Sequence, residues 1–164
     1  MKTLQITRIK PNPAGKDKTP SGAASASQLA AEWVDFKNNG VYSVNLAGVD
    51  LYHVAYAAGS NEGRWEKVID FTGTLPAGQT VRVHSGSGPD NAIRAEDRAG
   101  ADHHVFTRRN YVWNNRQSDK PTLFEPAQKQ NVDQASYDPY PPEGEVLVRS
   151  GYKLVPASVP AYVR

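Results

Sequence analysis

The chain of 164 residues contains no cysteine. That excludes disulfides, thiolate nucleophiles and thiolate metal sites together. No apolar run approaches the roughly 18 residues needed to span a bilayer. The first ten residues, Met-Lys-Thr-Leu-Gln-Ile-Thr-Arg-Ile-Lys, lack a continuous apolar core. They do not read as a secretory signal, and the expected location is cytoplasmic. No Gly-x-Ser-x-Gly elbow occurs, and no glycine-rich loop ends in Gly-Lys-Ser/Thr. A hydrolase nucleophile on a strand-to-helix turn and a phosphate-cradling loop therefore both lack their sequence signal. Sustained helical periodicity and internal repeats are also missing. Net charge is only +2, too small to argue for a nucleic-acid partner by itself.

What the chain has instead is short alternating segments separated by turn residues. Glycine (13) and proline (12) are plentiful, and they fall where a sandwich needs turns. Residues 4–9 open a strand whose alternation of Leu4 and Ile6 breaks before Ile9. Pro11-Asn12-Pro13 stops it. Residues 14–28 are small and polar, the composition of a mobile insert rich in Ala, Ser and Gly. In residues 32–36, Glu32, Val34 and Phe36 share one face and Trp33 and Asp35 the other. Burying Val34 and Phe36 places Glu32 on the core side at the strand's rim. There it needs hydrogen-bond donors, from turn amides or a nearby Lys or Arg. Asn38-Asn39-Gly40 is a turn, and strands follow around Val49 and Leu51, Trp65 to Phe71, and 80–84. Residues 89–103 read as a long loop or one short helix. Further strands are expected at 105–106, 111–113 and 130–133, with 114–119 as a hairpin turn. Strands of this length with turn signals every 8–15 residues indicate an all-β fold, an immunoglobulin-like antiparallel β-sandwich. The domain is expected to span 1–144, and 145–164 a C-terminal extension, an added strand and tail.

The order of motifs resembles the lamin tail domain, an immunoglobulin-like module also found in bacterial proteins. Ile6 to Ile9 with Pro11-Asn12-Pro13-Ala14-Gly15, Glu32-Trp33-Val34-Asp35-Phe36 with Asn38 and Gly40, and Val44-Asn45-Leu46-Ala47-Gly48-Val49 carry the first half. Pro76-Ala77-Gly78, Val81-Arg82-Val83-His84-Ser85-Gly86, then Trp113-Asn114-Asn115, Asp119, Leu123 and Tyr137 carry the second. The resemblance implies an interaction module without a catalytic site of its own, although bacterial versions often accompany hydrolases. The long 18–30 insert and the enlarged 89–110 segment depart from a minimal domain.

Two constellations stand out. Residues 108–116 interleave Arg108, Arg109 and Arg116 with Tyr111 and Trp113 and contain no acid. Guanidinium forks grip phosphates and aromatic faces stack bases or sugars. The alternative is that Tyr111 and Trp113 share parity because they pack on one face. Asp102, His103 and His104 form the densest group of metal-ligand types. Adjacent strand residues point to opposite faces, so one ion would need a loop here and a further ligand such as His84 or Asp97. His53 shares parity with Val49 and Leu51 and reads as a partly buried, hydrogen-bonded histidine. His84 shares parity with Arg82 and reads as exposed. Tyr137 and Tyr140 flank Pro139 and read as a Pro-rich clamp over the sandwich end, the alternative being an aromatic ligand platform. Residues 1–20 carry net +4 and residues 121–145 net −4, read as solvated surface charge. The expectation is a non-catalytic binding or scaffold module without a cofactor, engaging a protein partner or nucleic acid. The alternative is a small metal-dependent phosphodiester hydrolase.

Overall fold

In the computed structural model, which describes residues 3–157, two sheets face each other across one apolar core. The larger has six strands in the order β12-β11-β1-β2-β7-β8. Its members are β1 (Leu4–Lys10), β2 (Trp33–Asn38), β7 (Thr80–His84), β8 (His103–Phe106), β11 (Leu147–Ser150) and β12 (Lys153–Pro156). The smaller has the order β10-β9-β4-β5, from β4 (Asp50–Tyr56), β5 (Gly63–Asp70), β9 (Thr122–Glu125) and β10 (Gln130–Gln134). A two-residue ladder of β3 (Val44–Asn45) and β6 (Thr74–Leu75) completes the strands. The immunoglobulin-like all-β reading holds, and every named pairing but one is antiparallel. The exception is β7 with β8, which run parallel with Val81 opposite His103 and His84 opposite Phe106. A connection long enough to return along the same direction, residues 85–102, makes that pairing possible.

The broken alternation of β1 has a local cause. The register against β2 shifts between Ile6, opposite Phe36, and Arg8, opposite Asp35. A bulge inserts one residue, so Ile6 and Ile9 both turn inward and are fully buried. Phe36 and Phe71 meet edge to face at 4.9 Å across the core.

The outer face of the six-stranded sheet is not solvent. Trp33, Asp35, Arg82 and His84 are all buried there, which overturns the exposure expected of His84. Helix α1 (Ala26–Ala30) and the single turn α2 (Ala95–Arg98) lie over it. Ser25 caps α1 by accepting a hydrogen bond from the Gln28 amide. Leu29 approaches Gly86 so closely that a Cβ there would sit 2.9 Å from the leucine Cβ. Gly86 also has φ +88°, so both space and conformation demand glycine. Under α2, Arg82 forks onto Asp35 with its Nε 2.7 Å from Oδ1 and Nη2 2.8 Å from Oδ2. The guanidinium lies 3.6 Å from the Trp33 ring centroid and donates to the carbonyls of Asp97 and Ala99.

Two local expectations fail. Residues 111–113 form no strand, and 114–119 form no hairpin turn. β8 and β9 belong to different sheets, so 107–121 crosses the end of the sandwich as an irregular loop. At the other end of the chain, β11 pairs with β1, and Leu147 and Leu154 join the core. Among the described residues no helix is long and apolar enough to cross a membrane.

Candidate ligand-binding groove

The crossing loop is irregular in backbone but fixed by two buried carboxylates. Asp119 is 1 % exposed and accepts four hydrogen bonds. Its Oδ1 takes the amides of Val54 and Lys120, both at 2.8 Å. Its Oδ2 takes the Asn114 amide at 3.1 Å and His53 Nδ1–H at 3.0 Å. Asn114 returns a bond from its side-chain amide to the Val54 carbonyl at 2.6 Å. Tyr137, also 1 % exposed, donates its hydroxyl to the Asn114 carbonyl. Burial pushes the Tyr137 phenol well above its ordinary range, so it stays a donor.

Glu32 holds the other end of the loop. It accepts the Val112 amide at 2.8 Å on Oε1, the Trp113 amide at 3.3 Å on Oε2, and the Ser85 hydroxyl. These are the donors that its place on the core side requires. Desolvation pushes its carboxyl up to about 8, against the pull of the three donors.

The two carboxylates shape an open groove of about 560 Å³ between the β4–β5 connection and the crossing loop. Tyr56, Ser60 and Asn61 line one wall, and Tyr111, Asn115 and Arg116 the other. A hydrogen bond of 3.3 Å from Gln117 to Asn61 ties the walls together. Because Asp119 binds both Val54, next to one wall, and Asn114, in the other, the groove's width is set from beneath.

The anticipated binding residues are only partly gathered here. Tyr111, Trp113 and Arg116 contribute to the groove, and Arg108 is exposed with φ +60°. Arg116 and Arg108 have no ion pair among the described residues. Arg109 instead pairs with Glu66 and donates to the Lys67 carbonyl at 3.0 Å. That pairing holds the Glu66 carboxyl below its ordinary value. Trp113 is 5 % exposed and meets His53 edge to face at 5.7 Å. Its ring is packed against the core rather than offered as a stacking platform. Tyr111 bonds the Asp17 carbonyl at 2.7 Å, bringing Lys16 and Lys18 to the same end of the molecule. Tyr137 and Tyr140 do not form one clamp, since Tyr137 is buried and Tyr140 is 77 % exposed.

The anticipated metal ligands are engaged by separate groups. Asp102 accepts the Thr80 amide, His103 Nε2 meets Gln79 Oε1, and His104 Nδ1 meets His84 Nε2 at 2.7 Å. His84 Nδ1 lies 2.6 Å from the Ala30 carbonyl. A carbonyl can only accept, so His84 carries its proton on Nδ1 and takes the His104 Nδ1–H on Nε2. Burial holds His84 down to about 4 and depresses His104 as well. Asp97 Oδ1 accepts from the Trp33 indole and Lys10, while its Oδ2 is buried without a hydrogen-bond partner among the described residues. Among the described residues no three His, Asp or Glu side chains are grouped to hold a metal ion.

Sequence reasoning missed Asp119 as an organising residue, along with Tyr56 and Asn61. The available signal was the order Trp113-Asn114-Asn115, Asp119, Tyr137, in which Asn114, Asp119 and Tyr137 prove to be one hydrogen-bonded unit. The lamin tail domain family model matches residues 1–139, and the chain belongs to that family. A search of curated proteins finds no match.

Proposed function

We propose that this lamin tail domain is a non-catalytic binding module that engages a protein partner through the groove between its 56–61 and 111–117 loops. The observation that supports this most is the groove's construction. A polar, solvent-open surface is fastened from beneath by the buried carboxyl groups of Glu32 and Asp119. Its lining is dominated by backbone, tyrosine and neutral amides, with Arg116 as its one cation. Such groups match an extended polypeptide, whose own amides need donors and acceptors, and the unpaired Arg116 and Arg108 favour an acidic segment.

A nucleic-acid partner is the second reading. It is favoured by the same unpaired arginines and by Lys16 and Lys18 beside Tyr111. Burial of Trp113 leaves it one aromatic platform fewer.

The test is capture from lysate, with and without nuclease treatment, on the immobilised chain, beside a Tyr111→Ala/Arg116→Glu variant shown by circular dichroism to be folded. A protein retained by the wild type and lost by the variant is the expected result. Equal capture by both, or none by the wild type, would overturn the proposal. Capture that vanishes on nuclease treatment would transfer the groove to nucleic acid.

A further inference from the structure

A second feature lies on the outer face of the four-stranded sheet, away from the groove. Cross-strand register places Asn131, Phe124 and Asp50 in one row. It places Gln134, Thr122, Tyr52 and Lys67 in the next, and Val54 with Trp65 beyond them. Residues directly opposite one another share a face, so three aromatic side chains converge there. Tyr52 and Phe124 meet edge to face, 5.8 Å apart and at 83°. Perpendicular rings make a corner rather than a flat wall. Trp65, 53 % exposed, closes the other side. The resulting cup has a volume of about 220 Å³ and is lined by these three rings with Thr122 and Asn131.

The lining selects its ligand. No charged side chain lines the cup, and the nearby Lys67 is tied to Asp70 at 3.0 Å. An anion therefore finds no partner. A plain hydrocarbon would leave the exposed Asn131 amide facing apolar surface; the buried Thr122 hydroxyl already donates to the Lys120 carbonyl at 3.0 Å. The volume lies below the roughly 300–1,000 Å³ of drug-sized pockets, which leaves room for one ring. A ligand with an apolar face and an equator of neutral hydroxyls satisfies every wall. We infer that the Tyr52–Trp65–Phe124 cup is a binding site for one ring of a neutral saccharide, stacked on the aromatics and hydrogen-bonded by Asn131. The site binds without cleaving. Among the described residues, the carboxyl pair beside it, Asp50 and Asp70, is joined by a hydrogen bond, closer than the roughly 5 Å or more that glycoside hydrolysis needs.

Trp65 also provides the readout, since Trp33 and Trp113 are 2 % and 5 % exposed. Tryptophan emission would be followed while cellotetraose, mannotetraose and tetra-N-acetylchitotetraose are added separately, with a heparin tetrasaccharide as the anionic control. A saturable change with at least one neutral sugar and none with heparin is expected. By calorimetry, Trp65→Ala and Tyr52→Ala should each weaken that binding about tenfold, and Tyr111→Ala, in the groove, should leave it unchanged. Silence from all three neutral sugars at about 10 mM, where even weak sites of millimolar Kd would be largely filled, would overturn the inference. So would binding indifferent to Trp65. A lysate protein lost on Trp65→Ala, without any sugar response, would assign the cup to a polypeptide and overturn it equally. None of these outcomes depends on the groove.

Discussion

Replacing Asp119 with alanine is expected to lower the unfolding free energy by about 3–5 kcal/mol, the range found when one partner of a buried charged network is removed. Three backbone amides, of Val54, Asn114 and Lys120, and the His53 ring lose their acceptor at once. Each buried donor left unsatisfied costs about 1–3 kcal/mol, partly recovered where water enters. For a domain of this size roughly 2–4 °C is lost per kcal/mol, so the thermal midpoint should fall by about 10 °C. Asp138→Ala, which removes an acid that is 80 % exposed and paired with Lys153, is the control and should stay within about 0.5 kcal/mol. Chemical denaturation of the three proteins settles the comparison. A loss below about 1 kcal/mol for Asp119→Ala would mean that the loop and β4 are fastened by something else.

The second large effect is expected at Arg82. Arg82→Met should cost about 3–5 kcal/mol, because it strands a buried Asp35. Arg8 remains as a partner, 3.0 Å away, but is itself 36 % exposed. Two carbonyls at the end of α2 lose their donor as well, and Trp33 loses the nearer cation over its ring, with Arg8 left at 5.9 Å. The double variant Asp35→Leu/Arg82→Met should be less destabilised than Arg82→Met alone, since an apolar pair leaves no uncompensated charge. A double-mutant cycle reads this directly. Simple additivity of the two single changes would contradict the assignment of the pair as one coupled unit.

The residues that misled are those on the covered face of the six-stranded sheet. Strand parity divided β2 correctly, but it carries no information about what lies outside a sheet. Residues 85–102 have the polarity of a solvent loop, yet they deliver α2 onto Trp33 and Arg82. His84 and Arg82 were therefore legible as facing away from the core and illegible as buried. The same limit applies to 111–113. Tyr111, Val112 and Trp113 alternate like a strand, but Glu32 takes the amides of Val112 and Trp113 that a neighbouring strand would have used. A side chain 80 residues away decides this, and local pattern does not report it. By contrast, Glu32 and His53 followed from parity alone. Both sat among core residues, and a buried polar group must be hydrogen-bonded. For the groove, Tyr111 and Arg116 were visible as chemistry. Its opposite wall was not, because Tyr56 and Asn61 become neighbours only through β4 and Asp119.

The central claim is that the two loops held by Glu32 and Asp119 form the working face. Amide hydrogen exchange of the chain, alone and saturated with its captured protein partner, tests it most directly. Slowed exchange should concentrate in residues 56–61 and 111–117, with β1, β2 and β7 unchanged. Protection confined to other surfaces, with both loops exchanging as freely as in the unbound chain, would contradict it.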